Sequence, residues 1–352
     1  MGEQLDPLTL AMDLMRIDST SGGEREIVDF LHGLLQQDGW RVRRIPVTTG
    51  RENIFATAVD SPLVTLSTHV DTVPPYIAPR AEGSRLWGRG ACDAKGIAAA
   101  MFCAARRLRA REVPVALLFV VGEEVTHDGA HAANLFPTTS LALIDGEPTE
   151  STLAMGTKGA LRITLRTSGR AAHSAYPDMG HSAIDDLTDL LHELKQLEWP
   201  SDPVLGNTTV NVGMISGGVA DNVIAAIAEA RIMIRTVTPP EQVHGMLEAW
   251  LNGRAELEHG IAVPPVKLNT IEGFPTSVVS FATDIPALTA WGTPYLFGPG
   301  SILQAHTDDE FIEIDELRSA VGAYERLAVA AMNRESGVGS RETGLSRLMA
   351  GD

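Results

Sequence analysis

Histidine and acidic side chains gather at the ends of several apolar segments in this sequence. They are His69 and Asp71 in STHVDTVPP, Asp93 in the glycine-rich turn GRGACDAKG, Glu123 and Glu124 in FVVGEEVTHDG, Asp145 and Glu147 in LIDGEPT, and His306 in FGPGSILQAHTDDE. Two imidazoles with several carboxylates and no thiolate suit borderline divalent ions, zinc before cobalt or manganese. The pattern therefore predicts a site for one or two such ions.

Taken singly, each motif also has a structural explanation. A carboxylate two residues after His69 can orient the imidazole, but short H-x-D strings are common. Asp93 could cap a helix, and Glu123 and Glu124 could lie in a solvated loop. The histidines and the aspartate within residues 127–131 are predicted to be solvated. Only the combination of imidazoles and acids at corresponding strand ends favours a metal site.

Apolar patterning predicts the elements that position these residues. Helices are predicted over residues 7–17, 23–37 and 95–110, with residues 19–23 forming a turn and an N-cap before the second. Between them lie strands such as LVTLSTHV, VPVALLFVVG and SLALIDG. Strands that alternate with helices indicate an α/β fold, with a mixed, mostly parallel sheet flanked by helices. Its sites lie at the carboxyl ends of the strands.

A change of pattern near residue 157 predicts an inserted domain. Strands such as LRITLRTSG and TTVNVGMIS alternate with helices over residues 183–197 and 241–251, as in a smaller α+β domain with its own antiparallel sheet. The chain then returns to the first domain, with a helix after Ile285 and a last helix over residues 315–332. The predicted divisions are 1–157 and 267–335 for a catalytic domain, 158–266 for the insert and 336–352 for a flexible tail.

Composition and charge narrow the partners. Lys and Arg total 28 against 45 Asp and Glu, so the formal net charge is −17, which disfavours nucleic acid and anionic membranes as partners. Cys92 and Cys103 are too few for a disulfide framework. No apolar run is long enough to span a bilayer, and no basic segment precedes the first apolar residues. We therefore expect a cytoplasmic protein.

Over residues 5–330, the ordered motifs resemble the acetylornithine deacetylase, succinyl-diaminopimelate desuccinylase and glutamate carboxypeptidase family of co-catalytic zinc metallohydrolases. The resemblance implies two zinc ions per subunit, with Co²⁺ or Mn²⁺ as substitutes, and an aspartate that bridges both. It identifies the metal ligands as His69, Asp93, Glu124, Glu147 and His306, with Asp93 as the bridge. It also implies that Glu123 is the general base and that Asp71 is the partner of His69.

The same resemblance implies that the insert is a lid that dimerises. In RAAHSAYP, His173 resembles a lid histidine that reaches the partner subunit's site and steadies the oxyanion. Asn222 and Arg235 match substrate-contacting positions, although Ala225 stands where the family usually has proline. Further substrate contacts, for a free carboxylate, are implied at Lys158, Gly298 and Gly300.

The expected reaction is hydrolysis of the amide bond of a small N-acylated amino acid, as in acetylornithine deacetylases of arginine biosynthesis. A water shared by two cations would lose its proton to Glu123, which would return it to the leaving amine. Two alternatives within enzymes remain: an exo-acting dipeptidase or carboxypeptidase, and a hydrolase that frees an amino acid from a carrier. An alternative of another class is a catalytically inactive scaffold that binds metal or ligand.

Overall fold

The structure, a computed structural model, describes residues 5–337. The α-helices of this part of the chain are α1 (Pro7–Met15), α2 (Arg25–Gln37), α3 (Lys95–Ala110), α4 (Asp128–Asn134), α5 (Ala183–Leu194), α6 (Pro240–Leu251) and α7 (Ile314–Ser336). Its first strands are β1 (Arg41–Thr48), β2 (Arg51–Thr57), β3 (Val64–His69), β4 (Arg80–Glu82), β5 (Arg85–Trp87), β6 (Val115–Val120), β7 (Ala142–Asp145), β8 (Leu153–Thr157) and β9 (Ala160–Ser168). The later strands are β10 (Ser201–Asp202), β11 (Gly206–Asn207), β12 (Thr209–Gly217), β13 (Ile227–Arg235), β14 (Glu256–Val263), β15 (Val266–Lys267), β16 (Thr276–Val279), β17 (Thr293–Leu296) and β18 (Phe311–Glu313).

A six-stranded sheet in the order β1-β2-β6-β3-β7-β17 carries the site. Strands β6, β3, β7 and β17 run parallel, whereas β2 pairs antiparallel with both β6 and the edge strand β1. Residues of β3 and β6 are buried throughout, because helices cover both faces. This confirms the predicted α/β fold with a mixed, mostly parallel sheet.

Alternate side chains of β6 point into two different apolar cores, one on each face of the sheet. Leu117 and Phe119 belong to the core that contains α1, α2, α3 and α7. Their neighbours Ala116, Leu118 and Val120 belong to a second core, which contains α4. Successive strand residues point to opposite faces, so one strand contributes to both cores.

The chain divides into two compact units. The first runs to Met155 and continues at Leu268–Ser277 and from Thr283 onward, and the second comprises Gly156–Lys267 and Val278–Ala282. Within the second unit, α5 and α6 pack against the antiparallel sheet β12-β13-β9-β14. The helices and the sheet enclose a separate apolar core. Of the predicted tail, residues 338–352 lie outside the described residues.

Some predicted elements differ from the structure. After Ile285 the chain forms two short 3₁₀ turns, Ile285–Ala287 and Thr289–Trp291, rather than a helix. Gly292 follows with φ +91°, a conformation that ends the second turn. The last helix is longer than predicted, at Ile314–Ser336, and α5 ends earlier, at Leu194. None of the helices within residues 5–337 is both long and apolar enough to cross a membrane.

Candidate metal centre

Three parallel strands bring their carboxyl ends to one edge of the sheet. His69 is the last residue of β3, and β6 is followed by Gly122, which turns the chain toward Glu123 and Glu124. Gly122 has φ +77°, and a Cβ there would lie 2.2 Å from Oδ1 of Asp128, so the turn requires glycine. Glu147 follows β7 by two residues.

Asp93 lies between the two histidines. Its Oδ1 is 2.9 Å from Nε2 of His69, and its Oδ2 is 3.2 Å from Nε2 of His306. Nε2 of His306 is also 3.0 Å from Oε2 of Glu124, and Nε2 of His69 is 3.8 Å from Oε1 of Glu147. Each Asp93 oxygen thus faces a different histidine, as a carboxylate shared by two ions would.

The charges at this site are strongly perturbed. Burial raises the pKa of Glu123 and of Glu147 well above the usual range, and neighbouring carboxylates raise it further. Hydrogen bonds to Asp93 and Glu124 raise the pKa of His306 to about 10. Buried acids of this density call for compensating positive charge.

The donor set fits divalent cations. One group of potential ligand atoms, each within 4.8 Å of the others, belongs to His69, Asp93 and Glu124, and another belongs to His69, Glu123 and Glu147. All are nitrogen or oxygen donors. Distance alone therefore includes Glu123 among the possible ligands, and only the resemblance separates it as the base.

Asp71 contacts His69 and also supports the turn that follows β6. Nδ1 of His69 lies 3.0 Å from the backbone carbonyl oxygen of Asp71, closer than the 3.5 Å to Oδ1 of the carboxylate. The carboxylate also accepts hydrogen bonds from the backbone N–H of Glu123 at 3.1 Å and of Glu124 at 3.3 Å. Asp71 therefore holds the end of β3 against the turn that carries both glutamates.

Ser21 belongs to the same arrangement, although the sequence predicted it within a helix cap. Its hydroxyl donates to Oδ2 of Asp71 at 2.7 Å, and Ser19 donates to the carbonyl oxygen of Val70 at 2.6 Å. Helix α2 begins after Glu24, without a side-chain hydrogen bond at its cap. The predicted cap was wrong because both hydroxyls find partners on the strand-end loop.

A buried ion pair that sequence reasoning missed supports Asp93. Oε1 of Glu310 accepts from the backbone N–H of Cys92 at 3.2 Å and of Asp93 at 3.3 Å, while Oε2 pairs with Nη1 of Arg89 at 2.7 Å. The Arg89 and Glu310 side chains are both at most 2% exposed. Glu310 thus fixes the backbone that carries the proposed bridging aspartate.

Arg89 extends this support to the loop of His306. Its Nη1 also donates to the carbonyl oxygen of Thr307 at 3.1 Å, and its Nε donates to that of Pro75 at 3.3 Å. The only sequence signal for this pair was an arginine in GRGACD and a glutamate after HTDD. Neither stands out without the tertiary contact.

The segment after the two glutamates is less solvated than predicted. Nδ1 of His127 lies 2.8 Å from Oδ1 of Asp284, and the His127 side chain is 16% exposed. Asp128 pairs with Nη1 of Arg51 at 2.5 Å. His131 is exposed, as predicted. The prediction was wrong for His127 and Asp128 because their partners come from distant segments.

In the second unit, two of the predicted residues are neighbours. His173 is exposed and its Nδ1 accepts from the backbone N–H of Ala175 at 3.1 Å. The carbonyl oxygen of Asn222 accepts from the backbone N–H of Ser174, which leaves the exposed Asn222 side chain beside the His173 loop.

Lys158 and Arg235, the other two predicted substrate contacts of the second unit, differ in whether their charged groups already have partners. Nζ of the buried Lys158 donates to the carbonyl oxygen of Asn207 at 2.6 Å. Arg235 is half-buried at the end of β13, and no acidic side chain of the described chain lies within 4.0 Å of its guanidinium. Burial, together with the charge of Arg162, lowers its pKa.

In the glycine loop, where the resemblance implies substrate contacts, the backbone N–H groups of Gly298 and Gly300 are hydrogen-bonded within the chain. The backbone N–H of Gly298 donates to Oγ1 of Thr149, and that of Gly300 donates to Oε1 of Glu316, both at 3.0 Å. A Cβ at Gly298 would lie 2.3 Å from the carbonyl oxygen of Glu147. These glycines are buried, and Gly298 lets the chain pack against the residue that carries one proposed ligand.

The sequence of this chain is similar to a known domain family and to proteins of other organisms. Residues 155–258 match the family model of the peptidase dimerisation domain. A probable carboxypeptidase of Aspergillus terreus is 37% identical, over 92% of this chain and 86% of the relative. A peptidase M20 domain-containing protein of Schizosaccharomyces pombe is 36% identical, over 92% of this chain and 84% of the relative.

A solved structure shows the same fold. The M20 family metallo-carboxypeptidase of Sulfolobus solfataricus superposes with a TM-score of 0.74 at 18% identity, covering 94% of this chain and all of the other. At that identity the similarity concerns the fold alone.

Proposed function

The chain belongs to the M20 family of metal-dependent peptidases and amidohydrolases, and from this premise we propose that it is a two-zinc exopeptidase of the carboxypeptidase or dipeptidase type. The observation that carries the proposal is the buried Asp93 between His69 and His306, with Glu123 in the turn after β6. Relatives named probable carboxypeptidases, at 34–37% identity, favour a peptide substrate. They lend no support to deacetylation or to a place in arginine biosynthesis.

The proposed ligand assignment follows the pairs of contacts. His69 and Glu147 would hold one ion, Glu124 and His306 the other, and Asp93 both. When bound, such a pair of ions polarises the scissile carbonyl and lowers the pKa of a shared water to about 7. Zinc suits nitrogen and oxygen ligands of this kind, and Co²⁺ or Mn²⁺ could replace it.

Glu123 is proposed to move the proton. It would accept a proton from the attacking water and deliver it to the leaving nitrogen. Its carboxylate oxygen lies within 4.8 Å of the ligand atoms of His69 and Glu147, beside the place proposed for the shared water. Asp71 would keep the carboxylate in place through the backbone N–H of Glu123.

Substrate binding is proposed to involve the second unit. Arg235 is free of acidic partners in the described chain and could hold a terminal carboxylate with two parallel hydrogen bonds. Lys158 is the weaker choice for this role, since its ammonium group is taken up by the Asn207 carbonyl oxygen. The exposed His173 and Asn222 are proposed to act in the partner subunit's site of a homodimer, His173 by stabilising the oxyanion.

Matched substrates test the proposal. The zinc-loaded protein is assayed on a dipeptide or tripeptide, on the same peptide with an amidated C-terminus, and on the N-acetyl derivative of its last residue. We expect the free peptide to react fastest and the amidated one at least tenfold more slowly, because the latter cannot engage Arg235 as a carboxylate. Fastest turnover of the N-acetyl amino acid would instead establish a deacetylase. No turnover at full metal occupancy would support an inactive scaffold.

The state of the two cysteines bears on the cellular compartment of the protein. Cys92 and Cys103 are both buried and free, which is the usual state of thiols in a reducing environment. We propose the cytoplasm on this ground.

A further inference from the structure

A third group of potential ligands lies behind the proposed general base. Oδ1 of Asp284 is 2.8 Å from Nδ1 of His127, and Oε1 of Glu123 is 3.7 Å from the same nitrogen. The three ligand atoms all lie within 4.8 Å of one another. Only Glu123 belongs to the machinery proposed above, so two of the three ligands are additional.

These separations are close to those a zinc ion needs. Two donors at 2.0–2.2 Å from zinc, at the tetrahedral angle, lie about 3.4 Å apart. The two distances at His127 are slightly shorter and slightly longer than this value. The three donors therefore form a group compact enough to face a single ion.

A second observation points to a missing partner at the same place. Oδ2 of Asp284 is buried without a hydrogen-bond partner, while Oδ1 of the same carboxylate faces His127. The Asp284 side chain is 2% exposed, and a buried carboxylate oxygen of this kind calls for a cation or a donor. Across residues 5–337, His127 is the one basic side chain within 4.0 Å of either the Asp284 or the Glu123 carboxylate.

From these contacts we infer that Glu123, His127 and Asp284 form an inhibitory site for a third divalent cation, of which zinc fits the one-nitrogen, two-carboxylate donor set best. The inhibitory part of the inference rests on the proposed function, because it requires Glu123 to be the base. A carboxylate that coordinates the third ion no longer accepts the proton of the attacking water. The loss of a general base costs about 10² to 10⁴ in rate. Activity should therefore rise as zinc fills the first two sites and fall at higher concentration.

Two conservative variants remove ligands while they keep the local hydrogen bond. His127 has φ +55°, a conformation that asparagine tolerates, and the side-chain amide of His127→Asn can still donate to Asp284. In Asp284→Asn the amide oxygen can still accept from His127. Amides are poor zinc ligands, so both variants should lose the third ion only. His131→Asn is the matched control, because His131 is an exposed imidazole four residues further along the chain.

Equilibrium dialysis against Zn²⁺, with the metal content measured per subunit, is combined with peptidase assays over the same zinc concentrations. The parent chain and His131→Asn should bind a third, weaker ion and lose activity as it binds. His127→Asn and Asp284→Asn should bind two ions, which also demonstrates that they are folded, and should stay active at zinc concentrations at least about tenfold higher.

Three results would overturn the inference. They are a parent protein that never exceeds two ions, inhibition that is unchanged in both asparagine variants, and a third ion that binds without loss of activity. Dialysis requires no substrate, so it also separates the two proposals. Failure of every peptide substrate would remove the proposed function, while a third ion that depends on His127 would still establish the binding site.

Discussion

Asp93 and Glu123 illustrate how two acids at one site can differ. Hydrogen bonds from His306 and His69 hold the pKa of Asp93 well below its ordinary value, despite its burial. Glu123 has only His127 within ion-pairing distance in the described chain, and burial raises its pKa well above the ordinary value. Burial raises the pKa of Glu147, a proposed ligand, in the same way, so Asp93 and Glu123 differ through their histidine partners and the base role of Glu123 rests on the resemblance.

The first prediction concerns the proton transfer. Glu123→Gln should retain two ions and lower kcat by about 10² to 10⁴, because the amide cannot accept the proton. Metal analysis and steady-state kinetics on the same preparation test this. Unchanged kcat at full metal occupancy would show that another group is the base.

The second prediction concerns the ligands. His69→Ala and His306→Ala should each lose about one ion per subunit, since each histidine is proposed to bind a different ion. Elemental analysis of the purified variants gives the stoichiometry, with His131→Ala as the control. Two ions retained in both ligand variants would reject the two-metal assignment.

At the scale of elements, the site depends on loops held together by buried polar groups. The Asp71 carboxylate fastens the turn after β6 to the end of β3. The Arg89–Glu310 pair fastens the turn before α3 to the loop of His306. Four proposed ligands lie on these segments, so their positions depend on contacts that are not themselves ligands; they are His69, Asp93, Glu124 and His306.

The third prediction tests the Arg89–Glu310 pair, which joins the turn before α3 to the loop of His306. Glu310→Ala frees the backbone N–H of Cys92 and Asp93 and leaves Arg89 buried without its charge partner, which should cost about 3 to 5 kcal/mol of stability. Metal affinity should fall about 10- to 100-fold. Calorimetric zinc titration and chemical unfolding measure the two effects.

A matched control is available three residues further on. Glu313 forms a pair with Arg85 at 2.6 Å, but both side chains are partly exposed. Glu313→Ala should leave metal affinity unchanged, because solvent screens the pair and β18, which Glu313 ends, carries no proposed ligand. Equal losses of affinity in both variants would show that Glu310 has no special role in placing Asp93.

At the scale of the whole molecule, the buried acids make stability depend on metal. Ions that bind only the folded protein at about 100 times their Kd add about 2.7 kcal/mol to the free energy of unfolding. The fourth prediction is therefore that chelation lowers the Tm and that zinc restores it. A His69→Ala, His306→Ala double variant should respond less. An identical Tm with and without chelator would argue that the acids are compensated in another way.

The fifth prediction concerns the proposed dimer. Mixed Glu123→Gln and His173→Ala chains should recover part of the activity, because a hybrid dimer contains one site with both an intact base and an intact partner histidine. Subunit exchange is verified by mass spectrometry of tagged chains. Exchange without recovery would place His173 outside the reaction.

The sequence by itself determined the α/β class, the family and the residue types at the site, because these depend on local apolar patterning and on short motifs. Helix α3 begins and ends where its periodicity predicts, at Lys95 and Ala110. Where local signals were weak, as after Ile285, the prediction failed.

Only the tertiary structure decided which distant segments meet. The Asp71 carboxylate binds a backbone N–H 52 residues away, His127 meets an aspartate 157 residues away, and Glu310 holds Asp93 across 217 residues. Such partners leave no periodic signal, since any buried donor needs an acceptor and the chain's packing chooses which one. The sequence therefore predicted the residue types of a divalent-metal site, and the folded chain determined how these acids are positioned and supported.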